Sequence, residues 1–155
     1  MAGYSNQKVF ILYEDEHLLV VKKPFGMESQ RGKSFAMDQE SLLRGYLSSK
    51  TKTDNPYLAV VHRLDRPVAG VMVYAKTKKA AADLSAQLQT ENFSKKYEAV
   101  VSGIVPACEG RLEGYLTADK RTGTTSVSSK ADPLAKKAVL TWQEIAGEEG
   151  KSGEI

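Results

Sequence analysis

A chain of 155 residues, 41% hydrophobic and 26% charged, is long enough for one domain with one core and too apolar for disorder throughout. Its formal net charge of +3 does not by itself announce a nucleic-acid binder. A single cysteine, Cys108, excludes an internal disulfide and a Cys-based zinc cluster and favours a reducing compartment, while His17 and His62 are too far apart for metal-ligand spacing.

Residues 1–8 are polar and predicted to form a flexible N-terminus. The apolar stretch Val9–Leu12 is far too short for a signal peptide or a membrane span, so a cytoplasmic protein without a membrane partner is expected. The apolar, β-branched runs 9–13 and 18–22, separated by Glu14-Asp15-Glu16, predict a strand–turn–strand unit. Pro24 cannot donate a ladder bond, so Lys23-Pro24-Phe25-Gly26 reads as a strand stop. Residues 27–37 lack periodicity and read as a loop. Asp38 is a candidate N-cap for a helix through Leu47, with Leu42, Leu43, Tyr46 and Leu47 on one side.

After the polar loop 48–57, short buried strands are predicted at Leu58–Val61 and Val71–Ala75. Thr77 caps a predicted helix over 78–90, with Ala81, Leu84 and Leu88 at helical spacing. Lys96–Ser102 is β-rich and reads as a strand ending at Gly103. Cys108 lies in a turn-like segment without a base beside it and reads as incidental. Leu112, Tyr115 and Leu116 suggest another strand, residues 117–136 a long exposed loop or hairpin, and Ala138–Ile145 a last strand. Strands outnumber helices without strict alternation. The fold class expected is α+β, a mixed, largely antiparallel sheet with flanking helices and no separate second domain.

Between the two buried strands stands His62-Arg63-Leu64-Asp65. A turn between rigid strands both holds and exposes a reactive group. The residues alone allow three explanations: a His62–Asp65 acid/base pair, a structural ion-pair cluster of Arg63, Asp65 and Arg66, or a catalytic Asp65 carboxylate with the arginines binding phosphate or the carboxylate itself. Tyr97, following Lys95-Lys96, could stack a base while the lysines meet phosphate, or could be a core aromatic at a strand edge. The clusters Lys22-Lys23, Lys76/Lys78/Lys79, Lys95-Lys96 and Lys136-Lys137 read as solvated faces or as phosphate contacts.

Three segments together resemble the RluA-type family of RNA pseudouridine synthases. They are Ile11–Gly26 with its Lys-Pro-x-Gly, His62–Thr77 with His-Arg-Leu-Asp running into Ala-Lys-Thr, and Lys95–Gly103 with Lys-x-Tyr. The resemblance implies the pseudouridine synthase catalytic fold over residues 9–155 and isomerisation of uridine in rRNA or tRNA. It implies that Asp65 is the essential aspartate, that Tyr97 packs against the target base, and that Arg63 fills the space left by a flipped nucleotide. A buried carboxylate would attack as a nucleophile or remove a sugar proton. Because no atom is gained or lost, no cofactor, metal or energy donor is expected, and structured RNA is the expected partner. The family continues into a Thr-Gly-Arg motif whose arginine pairs with the aspartate. The sequence stops at Ile155 before it, so it reads as C-terminally incomplete relative to the family. On that reading an open sheet edge and self-association are expected, and the alternative is a catalytically impaired, RNA-binding relic of the family.

Overall fold

A computed structural model of the chain describes residues 9–32, 37–90, 93–103, 108–119 and 121–145. The expected loose start, 1–8, and the tail, 146–155, lie outside the described residues. The chain divides into two compact units, 1–97 and 98–155. The fold is α+β, with every pair of strands antiparallel. Instead of one mixed sheet there are two separate sheets, one in each unit.

The first unit holds a four-stranded sheet in the order β1-β2-β4-β3, from β1 (Phe10–Glu14), β2 (Leu18–Lys23), β3 (Ala59–Val60) and β4 (Gly70–Ala75). Side chains alternate across a strand. In β2 the alternation turns Leu19, Val21 and Lys23 to the buried face, and in β4 it does the same for Met72 and Tyr74. Leu19 is registered opposite Tyr74, Val21 opposite Met72 and Lys23 opposite Gly70. Helix α1 (Gln39–Thr51) lays Leu43 and Leu47 on this face, and Leu58 completes the core. Asp38 caps α1 as expected, accepting from the Ser41 amide at 2.9 Å. Thr77 caps α2 (Lys78–Gln87) in the same way, accepting from the Ala80 amide at 3.2 Å.

The end of β1 is tied to its surroundings by one carboxylate. Glu14 accepts from Tyr46 Oη at 2.8 Å, Lys50 Nζ at 2.8 Å and Lys76 Nζ at 2.7 Å. Lys76 also donates to the Asp15 carbonyl. Burial alone would raise the Glu14 pKa, but the hydrogen bonds from Lys50, Lys76 and Tyr46 bring it down to about 2. A depressed carboxylate stabilises the fold above its unfolded value and loses that contribution as pH falls through the folded one. Urea melts of the parent should therefore lose about 2 kcal/mol relative to Glu14→Gln between about pH 4.5 and pH 2, with the exposed Lys50 contributing less than Lys76. Parallel pH profiles for the two proteins would contradict this account.

The second unit is a three-stranded sheet in the order β6-β5-β7, from β5 (Glu109–Ala118), β6 (Thr125–Ser128) and β7 (Lys136–Gln143). The stretch 117–136, expected to be a loop or hairpin, contains β6. Gly110 is registered opposite Trp142, and a Cβ there would meet the indole Nε1 at 2.6 Å. Glycine is thus needed for the indole to lie on the strand. The strand expected over Lys96–Ser102 is not formed. Those residues are exposed, with Val100 almost fully so, and no described strand pairs with them. β-Propensity is expressed only against a partner.

Candidate active site

The His62–Asp65 stretch occupies the connection between β3 and β4, two neighbours in one antiparallel sheet. Its backbone is fixed on both sides. His62 Nε2 accepts from the Val73 amide at 3.1 Å, pinning the imidazole to β4. Ser29 Oγ donates to the Leu64 carbonyl at 2.5 Å and accepts from the Leu64 amide at 3.0 Å. The Val68 amide donates to the Asp65 carbonyl at 2.9 Å, closing a turn. Arg66 is tied to the corner after β2: the Gly26 amide donates to the Arg66 carbonyl at 2.9 Å, and Arg66 Nε donates to the Gly26 carbonyl at 3.0 Å. Gly26 makes this corner with φ of 79°, a conformation that favours glycine.

Beneath the corner lies Lys23, fully buried. Its ammonium donates to the carbonyls of Met27 at 2.6 Å, Pro24 at 3.2 Å and Arg66 at 3.4 Å. Burial lowers its pKa, and the charge of Asp65 opposes that shift. Lys23 therefore lies within electrostatic reach of Asp65 while tying the corner to the turn.

Within this clamp Asp65 and Arg63 are exposed, and neither side chain bonds to any described residue. The ion-pair cluster of Arg63, Asp65 and Arg66 that the sequence allowed is not formed among the described residues. Nor do His62 and Asp65 form an acid/base pair, because the imidazole Nε2 is committed to β4. Burial first, and then the Lys95 charge, hold the His62 pKa below its usual value, so the acceptor form is favoured. Asp65 is exposed, as expected of a reactive group held in a turn between strands, and is not the buried carboxylate that the family chemistry implied. Tyr97 is 63% exposed at the end of the first unit, so it is not a core aromatic. It makes no hydrogen bond to the turn among the described residues, although Lys95, two positions earlier, is close enough to act on His62.

Sequence reasoning missed Lys23 and Ser29 as site-forming residues. Lys23 was legible in principle, since it shares the parity of Leu19 and Val21. Ser29 lies in a loop without periodicity and carried no signal. No cluster of His, Cys, Asp and Glu able to hold a metal occurs among the described residues. No helix among them is long and apolar enough to cross a membrane.

The sequence pattern of the family described as RNA pseudouridylate synthase matches residues 17–154, a span that takes in both units. The chain belongs to this family. Among curated relatives, the ribosomal large subunit pseudouridine synthase C of Buchnera aphidicola subsp. Baizongia pistaciae is 37% identical over 133 residues, 83% of this chain and 39% of that protein. The dual-specificity RNA pseudouridine synthase RluA of Vibrio vulnificus is 38% identical over 109 residues, covering 70% of this chain and 41% of that protein. The chain thus spans about two fifths of the length of these pseudouridine synthases. The fold is shared with the solved structure of human RNA pseudouridylate synthase domain containing 4, at a TM-score of 0.67 and 24% identity, over 86% of this chain and 52% of that one.

Proposed function

We propose that the chain carries the catalytic aspartate of an RNA pseudouridine synthase, and that Asp65 isomerises uridine to pseudouridine in rRNA or tRNA. The observation that carries this reading is the clamped turn, which fixes the backbone on both sides of Asp65 and leaves its carboxylate exposed to a substrate. The relatives are named as a ribosomal large subunit pseudouridine synthase and a dual-specificity RNA pseudouridine synthase, which supports RNA as the partner.

The chemistry balances without a cofactor. The N1–C1′ bond of uridine breaks, the base rotates, and a C5–C1′ bond forms. The hydrogen on C5 leaves to solvent and N1 gains a proton. Asp65 serves either as the nucleophile at C1′ or as the base that removes a sugar proton. The target nucleotide must leave its stack at a cost of a few kcal/mol. On this reading Arg63, exposed two residues before Asp65, fills the vacated space. Tyr97 offers an exposed ring for stacking the base, and the neighbouring Lys95 and Lys96 meet phosphate. The lone thiol and an RNA substrate both fit a reducing, cytoplasmic setting.

Loss of the C5 hydrogen supplies the test. RNA labelled with tritium at uridine C5 should release tritium to water when incubated with the chain, without release of free uracil. RNA binding with full retention of tritium would instead assign the chain to binding without turnover and overturn the proposal.

A further inference from the structure

The residue before Asp65 is held by a chain of contacts that reaches the centre of the first unit. Leu64 lies beyond the end of β3, where the ladder has stopped. One hydroxyl replaces the missing partner, because Ser29 Oγ binds both the amide and the carbonyl of Leu64. Ser29 is only 5% exposed. Its own carbonyl accepts from the phenol of Tyr74 at 3.0 Å. Tyr74 is fully buried on the core face of β4, and burial raises its pKa well above the ordinary value, so the phenol stays a donor. The Leu64 side chain is seated as well. It packs on the core and passes so close to Gly70 that a Cβ there would stand 3.2 Å from Leu64 Cδ1.

We propose that Ser29 and Tyr74 form a strut, from β4 through the 27–32 loop to Leu64, that positions Asp65 for reaction. This rests on the reading of Asp65 as the catalytic carboxylate. Ser29 and Tyr74 are positioning residues, since both are buried and act on Asp65 through the Leu64 backbone. The strut meets the backbone just before Asp65, while the Gly26–Arg66 pair meets it just after. The backbone is held on both sides while the Asp65 side chain makes no hydrogen bond to a described residue. Near-ångström displacement of a reacting group is enough to slow a reaction about 100-fold. The strut therefore acts on rate and leaves RNA binding to other residues.

The test compares Ser29→Ala, Ser29→Thr and Tyr74→Phe in the whole chain, with Leu47→Ala, which removes none of the strut's hydrogen bonds, as a destabilised control. Two quantities are read: amide hydrogen exchange at Leu64 by NMR, and the single-turnover rate of tritium release with RNA saturated by protein. Ser29→Ala should accelerate exchange at Leu64 while the β2 and β4 amides stay protected. It should slow turnover about 10- to 100-fold with RNA affinity unchanged. Ser29→Thr, which restores the hydroxyl, should recover most of the rate. Tyr74→Phe keeps the ring in the core and should reproduce a milder form of both effects, so it answers the question if Ser29→Ala does not fold. Leu47→Ala should keep its rate per folded molecule. Unchanged exchange at Leu64, or a parental rate in Ser29→Ala, overturns the strut, as does acceleration spread evenly over the sheet. If the parent itself releases no tritium, the proposed function falls, and the exchange measurement alone decides the strut.

Discussion

Asp65→Ala is expected to reduce tritium release by about 1,000-fold or more while leaving the fold and RNA affinity intact. The separation of effects follows from the geometry. The Asp65 carboxylate is exposed and makes no hydrogen bond or ion pair with a described residue, and its charge acts on the buried Lys23 without a direct bond. The one hydrogen bond that Asp65 accepts from within the turn goes to its backbone carbonyl, which alanine keeps. Stability should shift by less than about 0.5 kcal/mol, as for surface substitutions away from structural features. Asp65→Asn is the sharper variant, since it preserves shape and removes only the charge and the nucleophilic oxygen. Both variants should bind RNA with the parental salt dependence, because on the proposed function the phosphate contacts would come from lysines and arginines. An Asp65→Ala protein that still releases tritium would end the assignment. A variant that loses RNA binding together with turnover would show that the carboxylate organises the surface instead of reacting.

Much of the first unit was legible because its local signals agree with its tertiary structure. The runs around Glu14-Asp15-Glu16 became β1 and β2, and Asp38 and Thr77 cap the helices they precede. The turn carrying Asp65 was legible because apolar runs flank it. Three features were not. Lys96–Ser102 has the composition of a strand, but a strand also needs a neighbour, and composition does not report one. The exposure of Asp65 agrees with the turn reading but not with the buried carboxylate of the family chemistry, since a carboxylate next to buried strands can sit on either side of the turn. The clamp was invisible because its bonds join residues far apart in sequence, such as Ser29 to Leu64 and Gly26 to Arg66. Polar contacts of that reach leave no periodicity. Lys23 is the instructive case: strand parity turns it inward while its charge argues outward, and the parity wins because carbonyls are waiting.

That outcome makes Lys23→Arg, which keeps the charge, the more damaging replacement, and Lys23→Met, which removes it, the milder one. The buried ammonium meets the carbonyls of Met27, Pro24 and Arg66, one for each of its hydrogens, and no described carboxylate pairs with it. Methionine has similar length and no donors. It removes the desolvation cost of a buried charge along with the bonds that offset it. The Arg66 carbonyl keeps the Gly26 amide, so the Met27 carbonyl is the group most clearly left without this donor. The net loss should be about 1–3 kcal/mol, the cost of an unsatisfied buried polar group. Arginine instead brings a longer, planar fork into a space built for a compact cation. Overpacking adds to a charge whose hydrogen bonds no longer point at the carbonyls, and the loss should reach about 3–5 kcal/mol. Against a total stability of about 5–15 kcal/mol, that is enough to unfold a marginal protein. Urea denaturation followed by circular dichroism gives the order directly. If arginine matches lysine while methionine unfolds the chain, charge matters at position 23 and the point-cation geometry does not.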